Sequence, residues 1–240
     1  MDFQFEKYQG AGNDFIIIDD RKENFPDQEH DLIQKYCDRH FGIGADGLIL
    51  VRDSDLADFK MLYFNADGRP SSLCGNGSRC VFAFANKYQM VGNEGTFETS
   101  DGIHKVSITP DDLICIQMGN VLKIEKRGSA IFMNTGSPHH IEFVNQVSAI
   151  DVKTQGAAIR YGAPYFDVGS NANFVEKVNE KEFNIRTYEI GVEDETLACG
   201  TGAVAAAIGV HFSGQTSLNV LNINALGGRL QGSFRPNSGQ

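Results

Sequence analysis

Apolar and polar residues alternate in short runs along most of the chain, as in HKVSITPDDLICIQM from His104, and this period of two predicts that strands dominate. FKMLYFNAD (59–67) and FNIRTYEIG (183–191) read the same way. Helical spacing is confined to a few stretches. DQEHDLIQKYCDRH (27–40) predicts a helix with Asp27 placed to cap it, and NQVSAIDVKTQG (145–156) predicts a second. Two further runs each follow a glycine-rich turn: CGNGSRCVFAFANKY (74–88) and CGTGAVAAAIGVHF (199–212). Both come after a strand pattern and a loop, so the order strand, loop, Cys-Gly-x-Gly, helix occurs twice. Cys199 follows Cys74 by about half the length of the chain, the spacing of a duplicated domain with one such cysteine per copy. The Gly-Asn turn signal in QMGNVL, near Gly119, gives the boundary, with domains expected over 1–118 and 119–240. The expected class is α+β.

A length of 240 residues suits two such domains. No segment approaches the roughly 18 consecutive apolar residues of a membrane span, and MDFQFEKYQG lacks an apolar leader, so the expectation is a cytoplasmic protein with no membrane partner. A formal charge of -10 without a Lys/Arg cluster argues against nucleic acid and leaves a small ligand as the expected partner. Five cysteines in a reducing compartment are thiols used for packing or for chemistry. Cys37 and Cys80 fall within helical patterns and Cys115 alternates with Ile114 and Ile116, so all three are expected in the core. With no Cys-x-x-Cys pair, and with His139 and His140 adjacent, a zinc site is not expected.

Cys74 and Cys199 differ from these. A thiol at a helix start sits beside unpaired N–H groups and the positive end of the helix dipole, both of which favour the thiolate. The glycines allow close approach of a ligand, and the N–H groups of Gly75, Asn76, Gly200 and Thr201 can cradle a carboxylate. Two such sites facing one carboxylate-bearing carbon can invert it, one sulfur removing a proton from one face and the other supplying a proton to the opposite face. The competing explanation is two packed thiols. GIGADG (42–47) satisfies Gly-x-Gly-x-x-Gly, yet it follows a helix and precedes the strand-like LILV, the reverse of a nicotinamide-binding unit. Those glycines read as a tight connection.

Seven segments together resemble the cofactor-independent diaminopimelate epimerases: GAGNDF (10–15), CDRHFGIGADG (37–47), FNADG (64–68), CGNGSRC (74–80), TGSPHH (135–140), NANF (171–174) and RTYEIGVEDETLACGTGA (186–203). The resemblance implies two similar domains, each a mixed β-sheet or barrel wrapped around a central α-helix, with the active site in the cleft between them. It implies interconversion of LL- and meso-2,6-diaminopimelate for lysine and peptidoglycan precursors, without metal or pyridoxal phosphate, in a homodimer. It makes Cys74 and Cys199 the acid/base pair, tuned by His139 and Glu189. Asn13, Asn65, Ser137 and Asn171 would contact the substrate, and the N–H groups of Gly75, Asn76, Gly200 and Thr201 would hold the reacting carboxylate. On pattern alone, Asn13 and Asn65 are equally turn formers, His139 sits after a proline in a loop, and Glu189 is an outward charge on a strand.

Three departures bear on the substrate. Ile190 stands where the family has an Arg that grips the distal carboxylate, and losing that bidentate contact points to weaker binding or to another amino acid. Ser137 stands where many members have Asn, with a hydrogen bond still available. The sequence stops soon after GGRLQGSF, which leaves an edge strand as the expected consequence. The alternatives are therefore a racemase of a different amino acid, a redox switch in which Cys74 and Cys199 join reversibly, and a non-catalytic amino-acid-binding protein.

Overall fold

A computed structural model describes residues 3–71 and 74–236. The chain divides into two compact units that meet between Gln117 and Met118. In the first, β1 (Glu6–Gly10), β2 (Asn13–Asp19), α1 (His30–Cys37), β3 (Gly47–Arg52), β4 (Phe59–Asn65), β5 (Pro70–Ser71), α2 (Gly75–Lys87), β6 (Glu94–Thr99), β7 (Gly102–Ile108) and β8 (Ile114–Ile116) follow in order. They form one mixed sheet, β1-β2-β3-β4-β6-β7-β8, with β5 on β4. Helix α2 packs against β1 and β2 at one end of that order and β8 at the other, so the sheet curls around it.

The packing follows from the residues. Phe15, Ile17, Ile49 and Val51 face α2, whose Val81, Phe82, Phe84 and Ala85 are buried against them. Ile16, Ile18, Leu48 and Leu50 face the other way, onto Ile33 and Cys37 of α1. Strands covered on both faces read as unbroken apolar runs, here FIII and LILV. Phe15, Phe59, Phe82 and Phe97 are each fully buried, and each contributes about 1.5–3 kcal/mol of transfer free energy.

The second unit holds β9 (Ile124–Arg127), β10 (Ala130–Asn134), β11 (Pro138–Phe143), a 3₁₀ turn (Val147–Ala149), α3 (Val152–Tyr161), β12 (Asn171–Lys177), β13 (Glu182–Glu189), β14 (Asp194–Thr196), α4 (Gly200–Phe212), β15 (Val220–Ala225) and β16 (Gly228–Ser233). Its sheet runs β16-β15-β13-β12-β11-β10-β9, with β14 on β13. Setting β10 against β1 and continuing strand by strand, every pairing has the same sense: antiparallel, parallel, antiparallel, then a parallel step across the central helix, then antiparallel. The repeat seen in the two cysteine motifs therefore extends to the whole topology. Helix α4 is lined by small residues, Ala203, Ala205, Ala206, Ala207 and Val210, all buried. A helix apolar all round belongs at the centre of its unit. The copies differ at their edges: β8 covers β7, whereas among the described residues no strand lies outside β16.

Four local expectations change. The first helix starts at His30, and Asp27 does not cap it, because its carboxylate pairs with Arg52 at 3.0 Å. It ends at Cys37, where the Asp38 carboxylate accepts the N–H groups of His40 and Phe41 and turns the chain away. The stretch 145–156 is broken: Ile150 is extended, and a new helix begins after Asp151, whose side chain accepts from Thr154 N–H at 3.1 Å. Cys115 is exposed, not core. Ile114 and Ile116 point inward, so the residue between them on a pleated strand must point out. His139 lies in strand β11, not in a loop, and is fully buried.

Candidate active site

Each central helix begins at a cysteine. Cys74 caps α2 with φ -108° and ψ 111°, and Cys199 caps α4 with φ -112° and ψ 114°. Each Sγ accepts a backbone N–H from three residues on, Gly77 at 3.5 Å and Gly202 at 3.4 Å. The helical ladders start at Ser78 N–H to Cys74 C=O and at Ala203 N–H to Cys199 C=O. The N–H groups of Gly75, Asn76, Gly200 and Thr201 precede the first rung of each ladder, at the positive end of the helix. The two sulfurs thus occupy the same local position in two copies of one fold.

In the N-terminal unit the cap is tied to the start of β2. Asn76, itself buried, donates Nδ2 to Asn13 Oδ1 at 2.5 Å, and Asn13 donates its own Nδ2 to Asp46 Oδ2 at 3.2 Å. Arg79, one turn into α2, donates Nη2 to Asn76 Oδ1 and Nη1 to the Gly75 carbonyl. Burial holds the Arg79 guanidinium below its usual range, with nearby thiols opposing this. Asn65 ends β4 exposed, paired in register with Gly47, which in turn pairs with Phe15, so Asn13 and Asn65 sit at the same end of the sheet. The Asn65 carbonyl accepts from Gly68 N–H at 2.9 Å, in a turn that needs Gly68 at φ 82°. Asp46, from the rejected dinucleotide-like segment, thus serves Asn13.

The C-terminal unit gathers more of the expected residues. Cys199 Sγ lies 3.3 Å from Thr201 Oγ1, which is 2.9 Å from His139 Nε2 and 3.2 Å from Ser137 Oγ. Full burial pushes the His139 pKa down to about 3, so the ring is neutral at ordinary pH. Glu189, at the end of β13, faces inward: burial raises its pKa, opposed by hydrogen bonds from Thr196 and Cys199. The Thr196 hydroxyl reaches Glu189 Oε2 at 2.9 Å. Asn171 uses both amide hydrogens inside the unit, on Ser137 Oγ at 3.1 Å and Pro138 C=O at 2.9 Å, while its Oδ1 accepts from Ile190 N–H at 2.8 Å.

Sequence reasoning passed over Arg79, Asp46, Thr196 and Asn173. Asn173 is fully buried beside His139 and shares with Asn171 the inward face of β12. The signal was present: two asparagines at period two in NANF put both amides on one face. Among the described residues, no group of three or more His, Cys, Asp or Glu could hold a metal ion, and no helix is long and apolar enough to cross a membrane.

Two mixed α+β units of like topology define an architecture found in solved racemase- and epimerase-type structures. A PhzF-family phenazine biosynthesis protein from Bacillus anthracis matches with a TM-score of 0.72, 14% identity, and coverage of 95% of this chain and 88% of that one. A hydroxyproline epimerase from Agrobacterium vitis matches with a TM-score of 0.64 and 13% identity over 99% and 86% of the two chains. These likenesses concern the fold. In sequence, the diaminopimelate epimerase family model matches residues 5–124 and 131–239. The diaminopimelate epimerase of Flavobacterium psychrophilum is 53% identical over 95% of this chain and 89% of its own length, and that of Aquifex aeolicus is 40% identical over 92% and 85%. The chain belongs to the diaminopimelate epimerase family.

Proposed function

We propose that the protein interconverts LL- and meso-2,6-diaminopimelate by proton transfer at the α carbon, with Cys74 and Cys199 as the two acid/base groups. The observation that carries this is the pair of matched helix caps, each placing a sulfur at the start of the central helix in a chain of this family. One cysteine, as thiolate, takes the α proton; the other, as thiol, gives its proton to the opposite face. After one turnover the two protonation states have exchanged, and the reverse reaction resets them. The α C–H is a weak acid, so the carbanion must be stabilised where it forms, and the cap N–H groups of Gly75, Asn76, Gly200 and Thr201 are suited to the substrate carboxylate. Glu189 takes up or returns the Cys199 proton. Turnover requires both sulfurs to reach one carbon in a space closed to water.

Within this proposal no cofactor takes part in the proton transfer, Asn13 and Asn65 contact the amino acid, and the enzyme acts in the cytoplasm as a homodimer serving lysine and peptidoglycan precursor synthesis. The test is incubation of reduced protein with LL-diaminopimelate in deuterated water. Appearance of the meso isomer with deuterium at the α carbon is expected, and absence of both would overturn the assignment.

A second reading, a racemase of another amino acid, rests on Ile190, whose apolar side chain cannot pair with a distal carboxylate. Relatives up to 53% identical that bear the diaminopimelate epimerase name favour the first. A panel of amino acids in the same exchange assay separates them, and inversion absent from fully reduced protein would point to a redox role for the thiols.

A further inference from the structure

The hydrogen bonds around Cys199 can be followed donor by donor, because several partners have only one possible role. A backbone carbonyl only accepts and a backbone N–H only donates. The His140 carbonyl takes Asn173 Nδ2 at 2.9 Å, and the Thr187 hydroxyl approaches Asn173 Oδ1 at 3.0 Å, so this amide has one orientation. Its nitrogen also lies 3.1 Å from His139 Nδ1. An amide N–H can only donate there, so Nδ1 is the bare nitrogen and the ring proton sits on Nε2.

The next links are fixed in the same way. Asn171 is held by the Pro138 carbonyl and the Ile190 N–H, so what it offers Ser137 Oγ at 3.1 Å is an N–H. Ser137 Oγ also lies 3.0 Å from the protonated His139 Nε2. With donors on both sides, the Ser137 hydrogen is left to face Thr201 Oγ1 at 3.2 Å. The single Nε2–H is shared between Ser137 Oγ and Thr201 Oγ1, the latter at 2.9 Å, so Thr201 Oγ1 accepts from both neighbours and its own hydrogen faces Cys199 Sγ at 3.3 Å. Every hydrogen runs toward the sulfur. The helix approach is tight as well: a Cβ on Gly202 would fall 2.6 Å from Asn173 Oδ1.

We infer that Asn173 locks His139 as its Nε2–H tautomer and that this ring, through the Thr201 hydroxyl, donates toward Cys199 Sγ, making Asn173 and Thr201 positioning residues for the thiolate. The role rests on Cys199 being an acid/base group. His139 is then a fixed donor, and the proton that leaves Cys199 goes to Glu189. Within the unit, the titratable groups facing Cys199 include Glu189 from β13 and, one hydroxyl away, His139 from β11.

Two measurements on the full, reduced chain test this without any substrate, so the chain of donors is judged even if the epimerase assignment fails. Nitrogen-15 spectra of histidine-labelled protein, with His139 identified by loss of its signals in His139→Asn, should show the proton on Nε2 with no titration between about pH 5 and 9. A proton on Nδ1, or a titrating ring, overturns the inference. Alkylation of Cys199 by iodoacetamide, read on its peptide by mass, should shift to higher pH in Thr201→Val, with about tenfold less thiolate at neutral pH, and return in Thr201→Ser. An unchanged profile in Thr201→Val also overturns it.

Discussion

The Asn76 amide donates to Asn13 Oδ1, joining the first turn of α2 to the first residue of β2. The link is polar in a single sense. Arg79 can only donate, so it fixes Asn76 Oδ1; the Asp46 carboxylate can only accept, so it fixes Asn13 Nδ2. Arg79→Met should release Asn76 Oδ1 while Asp46 still holds Asn13, and raise KM for the amino acid about tenfold, the scale of a lost hydrogen bond to a charged group. Arg79→Lys should recover part of the loss. Steady-state kinetics of α-deuterium exchange decides, and an unchanged KM in Arg79→Met would show that the Asn76 amide is held by other means.

On the proposed mechanism, Cys74→Ala and Cys199→Ala should each abolish stereoinversion, since either change would remove the proton donor or acceptor on one face. Exchange with solvent deuterium is read by mass or proton NMR. Turnover retained in either variant removes that sulfur from the reaction.

Gly202→Ala should damage the site without removing any functional group. The added methyl meets Asn173 Oδ1 at 2.6 Å and Cys199 Cβ at 3.3 Å, so the end of α4 must withdraw. A cost of about 1–3 kcal/mol in stability is expected, from overpacking. Thermal denaturation and the exchange assay should both register it.

Acid should weaken the fold before the carboxylates titrate. Burial lowers His139 from 6.5 to about 3 and His140 from 6.5 to about 4, the latter aided by Arg127. Between those values and 6.5 the unfolded chain binds more protons than the folded one, so stability falls as pH drops through this window. The slope is at most about 1.4 kcal/mol per pH unit for each histidine. Glu189 acts in the opposite sense: its folded pKa is raised above 4.5, so its contribution is present below that value and is lost as pH rises through the folded pKa. Urea denaturation at about pH 7, 6 and 5 measures the sum, and His140→Gln should flatten the dependence.

Ile190→Arg should lower KM for diaminopimelate about tenfold or more with little change in kcat, because a bidentate carboxylate contact is made equally in ground and transition states. The same variant should leave any monocarboxylic substrate unaffected. Comparison of the two substrate types decides what occupies the space beside residue 190.

The duplicated topology was legible because one feature survives translation into one dimension: the strand-loop-Cys-Gly-x-Gly order, which occurs twice about half a chain apart. Helix ends were less so. Asp27 is a sound N-cap by type, but Arg52, distant in sequence, takes its carboxylate. His139 was singled out as a candidate and misplaced as a loop residue, since a proline before it argues for a turn unless that proline starts a strand, as Pro138 does. Asn173, Thr187 and Asp46 gain their roles only from side chains brought together across strands, which no local pattern encodes.

The strand-for-strand equivalence of the two units has an evolutionary corollary. On the proposed chemistry, a half-length ancestor with a single capped sulfur would have worked only as a pair of identical molecules. In one polypeptide the halves need not match, and they do not: the cap at Cys74 has a guanidinium and two amides beside it, that at Cys199 a histidine, a threonine and a glutamate.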